Sequence, residues 1–156
     1  LHLTFWLHQT HFGMGITVPN RAGKYWKRLK TICKSDELFN DFTNRILELR
    51  KKVPHLYIEF LQRHYKGMTD AIVDGIVEVD VDTISGNSKY HIRPNSLWYD
   101  VIRDLVQNKK SYNGQLMIRV RFFYKDHDEI ITEKFRDTLI AAAANFKEVY
   151  DYLQEV

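Results

Sequence analysis

The chain is 156 residues long, 44% hydrophobic and 28% charged, with a formal net charge of +3 and one cysteine, Cys33. That size and balance exclude a disordered chain and suit a single domain over residues 1–156, burying roughly two thirds of its unfolded surface. One cysteine excludes an internal disulfide and points to a reducing, intracellular (cytoplasmic) setting, while no apolar run nears the roughly 20 residues of a membrane span, so no membrane partner is expected.

The opening Leu1–Trp6 has neither Met nor a charged region, so it does not read as a signal peptide; a fragment of a longer chain would begin this way. From Leu1 to Val18 the residues Thr4, Phe5, Trp6, Phe12, Ile16, Thr17 and Val18 favour strand. Gly13-Met14-Gly15 is expected to interrupt it, giving two strands or one bulged strand. A helix follows over Arg21 to Lys34, with Tyr25/Trp26, Leu29 and Ile32/Cys33 as its apolar stripe. Ser35 then caps a second helix, Asp36 to Lys52, acidic in its first turn and basic in its last, as the helix dipole favours. Pro54 is expected to end it and to start a third helix, His55 to Tyr65, burying Leu56, Tyr57, Phe60 and Leu61.

Ala71 to Ile84 reads as strand, with a hairpin signal at Asp74-Gly75. Ser85 to Ser88 reads as a turn, Lys89 to Arg93 as a strand, and Asn95 as the cap of a helix to Gln107 with Leu97/Trp98, Val101/Ile102 and Leu105 inward. Lys109 to Gly114 is a polar loop, Gln115 to Lys125 a strand and Asp126-His127-Asp128 a turn. Thr132 caps a last helix to Gln154, its core positions Phe135, Leu139, Ala142, Phe146, Val149/Tyr150 and Leu153. Strands and helices mix without strict alternation. The expected class is α+β: a mainly antiparallel sheet of about four to six strands with helices on one face.

Two segments alternate with period two. Ile76 to Asp82 alternates apolar with acidic, and Leu116 to Lys125 apolar with basic. Both are expected in one sheet, with Ile76 or Val77, Val79, Val81, Ile118, Val120 and Phe122 toward the helices. Glu78, Asp80 and Asp82 would then share a face, neighbours roughly 7 Å apart. Clustered carboxylates can hold Mg²⁺ for phosphoryl transfer, which makes a metal-dependent phosphodiesterase or nuclease, assisted by Lys125 or His127, one reading. The competing reading is cross-strand ion pairing with Arg119 and Arg121, which sets register and requires no metal or other cofactor.

Charge is divided unevenly. Residues 1–66 hold 12 Lys/Arg against 5 Asp/Glu, and residues 67–156 hold 11 against 15, so the parts carry +7 and −4. The two parts attract each other within one fold, or they mark an interaction surface. In the second case Lys24, Lys27, Arg28 and Lys30, with Arg50, Lys51 and Lys52, form a basic helical surface for nucleic acid or a partner protein. Tyr25 and Trp26 interleave these cations as stacking residues would, although both also lie on the apolar stripe. A non-catalytic interaction module is the leading expectation, ahead of the nuclease and of a homo-oligomer joining basic to acidic parts. His2, His8 and His11 lack a zinc-type pattern, since no Cys or nearby acid completes it, and His8 and His11 would point to opposite faces of a regular strand unless the chain bends. Ala22-Gly23-Lys24 lacks the remaining residues of a phosphate loop.

Overall fold

The computed structural model describes residues 1–19, 23–53, 55–66, 70–79, 84–87, 96–107, 114–126, 130 and 132–155, with backbone alone between 62 and 95. Six strands form one sheet: β1 (His2–Leu7), β2 (His11–Pro19), β3 (Leu56–Lys66), β4 (Asp70–Val79), β5 (Ile84–Asn87) and β6 (Gly114–Phe123). Their spatial order is β1-β2-β6-β3-β4-β5, and every neighbouring pair is antiparallel. β6 enters late in the chain and joins an N-terminal hairpin to a three-strand meander, pairing along its length with β2 and then β3. The class is α+β.

Four helices cover one face: α1 (Lys24–Lys34), α2 (Asp36–Lys52), α3 (Trp98–Gln107) and α4 (Glu133–Gln154). Alternation along the strands sends Met14, Ile16 and Val18, Leu116, Ile118, Val120 and Phe122, and Leu56, Ile58 and Phe60 into the core beneath them. The helices return Trp26, Leu29, Ile32, Phe39, Phe42, Ile46, Ile102, Leu105, Phe146 and Leu153. Phe135 meets Phe12 and Phe122 edge-on at 5.5 and 5.6 Å, a geometry that aromatic quadrupoles prefer.

One residue, Ser35, separates α1 from α2, and it serves both. Its amide donates to the carbonyls of Thr31 and Ile32 at the end of α1, and its Oγ accepts from the Leu38 amide at 3.3 Å. Arg103 and Gln107 of α3 donate to the Cys33 carbonyl, while Arg103 reaches Asp36 at 2.6 Å. A cation thus sits where the α1 dipole is negative, and it fixes three helices at one corner.

Several expectations are corrected. The third helix is strand β3. Leu56, Tyr57, Phe60 and Leu61 do fit a helical stripe, but Leu56, Ile58 and Phe60 fit a strand equally well. Ladder partners on both sides, β6 and β4, decide for the strand. Gly13 and Gly15 lie inside β2 rather than breaking it; the chain turns at residues 8–10, where the His8 amide donates to the His11 carbonyl. Asp74-Gly75 lies inside β4, and residues 84–87 are strand β5, not a turn. Residues 76–79 and 116–123 share the sheet as expected, yet β3 separates them, so Glu78 does not pair across with Arg119 or Arg121. The expected strand Lys89–Arg93, the cap Asn95 and residues 109–113 of the expected loop lie outside the described residues, and Gly114, expected to end that loop, opens β6. Leu97, expected inward, is exposed ahead of α3.

Candidate functional site

Two surfaces carry chemistry. The first lies on α1. Lys24, Lys27, Arg28 and Thr31 recur at helical spacing on the side away from the buried Trp26, Leu29, Ile32 and Cys33. With Glu155 at the end of α4 they line a cleft of about 260 Å³. Arg28 is set in place: its guanidinium lies 5.2 Å from the Tyr152 ring centre and 3.7 Å from the Glu155 carboxylate. Tyr152 is itself anchored by donating to the Leu38 carbonyl at 2.9 Å and by stacking on Phe42. Burial pushes the Tyr152 phenol up and Asp41 adds to it, while Arg28 and Arg45 pull it back. The Lys24 ammonium stands 4.8 Å over the Tyr25 ring, and Lys27 is exposed. The Arg28–Glu155 contact is long and its carboxylate is open to water, so it contributes less than about 1 kcal/mol and yields readily to a better anion.

The cleft divides the basic residues named from sequence. Lys24, Lys27 and Arg28 converge on it. Lys30 is half-buried on another side of α1, and Lys51 is engaged by Glu48 at 2.6 Å; Arg50 and Lys52, like Lys51, lie in the last turn of α2 and do not line the cleft. Trp26 is buried against Phe60, which removes it from any stacking role and leaves Tyr25, half-buried, as the α1 ring with accessible surface. Arg45–Glu148 at 3.0 Å and Arg28–Glu155 pair cations of the basic first part with acids of the second, so part of the charge division is spent inside the fold.

The second surface is the sheet face opposite the helices. Here β1, β2, β6 and β3 place Trp6, Gly13, Gly15, Thr17, Met117, Arg119, Arg121, Tyr57 and Glu59. Trp6 lies flat across Gly13, where an added Cβ would come within 2.0 Å of the indole. Gly15 lies so close to β6 that a Cβ would meet the Ile118 carbonyl oxygen at 2.2 Å. Arg119 stacks 4.3 Å from the Trp6 ring centre and pairs with Glu59 at 3.0 Å; Arg121 stacks 3.9 Å from the Tyr57 ring centre. The Arg119 and Glu59 side chains are only 18% and 11% exposed. Burial pushes the Tyr57 phenol up, and Arg121 and Arg119 partly counter it. Each guanidinium is therefore already matched to an aromatic face, and Arg119 to a carboxylate as well. Arg119 and Arg121 were legible in the sequence, but Glu59, the acid that Arg119 meets, was hidden inside an expected helix; Asp80 and Asp82, expected opposite the arginines, lie outside the described residues.

Of the carboxylate set and its assistants, Glu78 and Lys125 are among the described residues, and their backbones stand apart. Glu78 stands in register with Glu59, itself level with Met117; Phe123 is six residues further along β6, about 20 Å away, and Lys125 lies beyond it, 5.9 Å from the Phe123 ring. Asp80, Asp82 and His127 lie outside the described residues. The chain bends at 8–10, and the turn stacks His8 on His11 at 4.7 Å. Among the described residues no group of three or more His, Cys, Asp or Glu could hold a metal ion, and no helix is long and apolar enough to cross a membrane.

Neither a family model, nor a curated protein, nor a solved structure matches this chain.

Proposed function

We propose that this protein is a binding module that holds nucleic acid by its phosphates in the α1 cleft. The observation that carries the reading is the convergence of Lys24, Lys27 and Arg28 on one cleft in which, among the described residues, the sole acidic lining residue is the weakly held Glu155; the Thr31 hydroxyl beside them is spent on the Lys27 carbonyl. Arg28 is pre-positioned by Tyr152, so little side-chain entropy is lost when it meets a phosphate. The two lysines act as flexible point charges, and Tyr25 offers a partly accessible ring beside Lys24. Nothing in this arrangement requires a metal.

Fluorescence anisotropy with labelled single-stranded and duplex oligonucleotides tests the reading. Three phosphate contacts give a log–log salt slope of about −2.1 (single strands) to −2.7 (duplex), so raising salt fourfold weakens binding roughly 20- to 40-fold. The Lys24→Glu/Lys27→Glu double variant should lose binding with its melting temperature unchanged, because both side chains are exposed. No binding at low salt, or binding that the double variant leaves intact, removes the proposal. Capture of an acidic protein in place of nucleic acid would also overturn it and identify the partner class instead.

A further inference from the structure

Edge strand β1 (His2–Leu7) bounds the sheet at one end of the strand order. Among the described residues its outer edge pairs with no strand. Its helix-side row, Leu3, Phe5 and Leu7, is 38%, 51% and 79% exposed. No Lys, Arg, Asp or Glu occurs before Arg21, so the edge lacks the charges by which natural sheets discourage pairing with another chain. A backbone edge and an apolar row thus face water on one strand.

The sequence of that strand also bears on what covers it. Residues 2–8 read His-Leu-Thr-Phe-Trp-Leu-His, a palindrome about Phe5 broken only by Thr4 and Trp6. Antiparallel pairing of two copies about a two-fold axis through Phe5 sets Phe5 against Phe5, Leu3 against Leu7 and His2 against His8. Every Leu and Phe of the row meets an apolar partner, and every residue keeps its own face of the sheet. No charged residue lies in the contact, so no ion is desolvated without a partner. Two six-residue edges, with three apolar side chains from each copy, bury on the order of 1,000 Å² in total. That area is at the low end for a specific interface and fits a dissociable dimer rather than a permanent one.

We infer that β1 is a self-association edge: two copies pair β1 to β1 and continue the sheet across a two-fold axis. The contact closes on itself, because each copy uses the same edge, so association stops at two. It is separate from the cleft on α1 and holds whether or not that cleft binds nucleic acid.

Sedimentation velocity tests it on the full chain at about 5 and about 200 μM, in about 0.1 M and about 1 M salt. The dimer fraction should rise with concentration and be unchanged or strengthened by salt. Leu7→Lys, at an already exposed position, should shift the equilibrium at least tenfold toward monomer with an unchanged circular dichroism spectrum. Leu3→Lys should act likewise, and Ile140→Lys, exposed on α4, should leave the dimer intact. A monomer at every concentration, association abolished by salt, growth beyond two copies, or dimers indifferent to both β1 variants would each overturn the inference.

Discussion

The two faces of the β2-β6-β3 segment use the same three strands for opposite chemistry. Toward the helices, Ile16, Ile118 and Ile58 and their neighbours make a dry layer with no polar side chain among them. On the other side, the alternate residues of those strands make a layer in which Arg119 and Arg121 lie between Trp6, Tyr57 and Glu59. The first layer is held by area removed from water and by dispersion, which are non-directional and tolerate exchange of one apolar residue for another. The second is held by paired groups, each of which is costly when its partner is lost. The first gives the sheet its stability, and the second gives its strands their register.

The largest expected effect is on the helix side. Phe60 is 2% exposed and packs against Trp26, so Phe60→Ala should destabilise the fold by about 3–5 kcal/mol in urea unfolding, through lost transfer energy and a cavity. A loss under about 1 kcal/mol would mean that the helix layer collapses into the space and that the contrast between the faces is overstated.

The other face should respond non-additively. Glu59→Leu alone strands the Arg119 guanidinium and should cost about 2–4 kcal/mol, somewhat below the cost in a fully buried pair because water still reaches the group. Glu59→Leu combined with Arg119→Met should cost clearly less than the sum of the two single changes. Additive losses in this double-mutant cycle would show that the pair is incidental and that stacking on Trp6 positions Arg119 unaided.

The smallest effect is a slope with pH. Burial pushes the Cys33 thiol, beneath the helices, up from about 9 to about 12, against a smaller opposing pull from Arg103. The unfolded thiol ionises first, so the folded state holds more protons between those values. Its contribution is therefore complete below about pH 9 and falls by up to about 1.4 kcal/mol per pH unit as pH rises toward 12. Tyr57, raised by burial on the opposite face, acts with the same sign. Cys33→Ala should flatten the stability profile between about pH 9 and 11, and an identical slope in that variant would assign the loss to the raised phenols of Tyr57 and Tyr152.

Much of this organisation was legible along the chain. Ser35 and the acids after it fixed the start of α2, because a cap is a local hydrogen bond. The period-two runs in Gly114–Phe123 and the three-four spacing in α4 located β6 and the last helix, because one face of each is consistently apolar. The cations on α1 were visible too, though their number was not their grouping: Lys24, Lys27 and Arg28 share a cleft, while Lys30 and the α2 terminus do not line it. Residues 56–65 failed because their spacing satisfies both a helix and a strand, and local propensity does not separate the two.

What the sequence determined alone is whatever rests on contacts within a few residues: caps, stripes, alternation, the uncharged palindrome of β1. What only the tertiary structure decided is which strand lies next to which. Placing β3 between β4 and β6 turned an expected acid–base strand pair into an Arg119–Glu59 contact between residues 60 positions apart. Such pairing is set by the burial of whole faces and by backbone partners far away in the chain, and no window of neighbouring residues contains it.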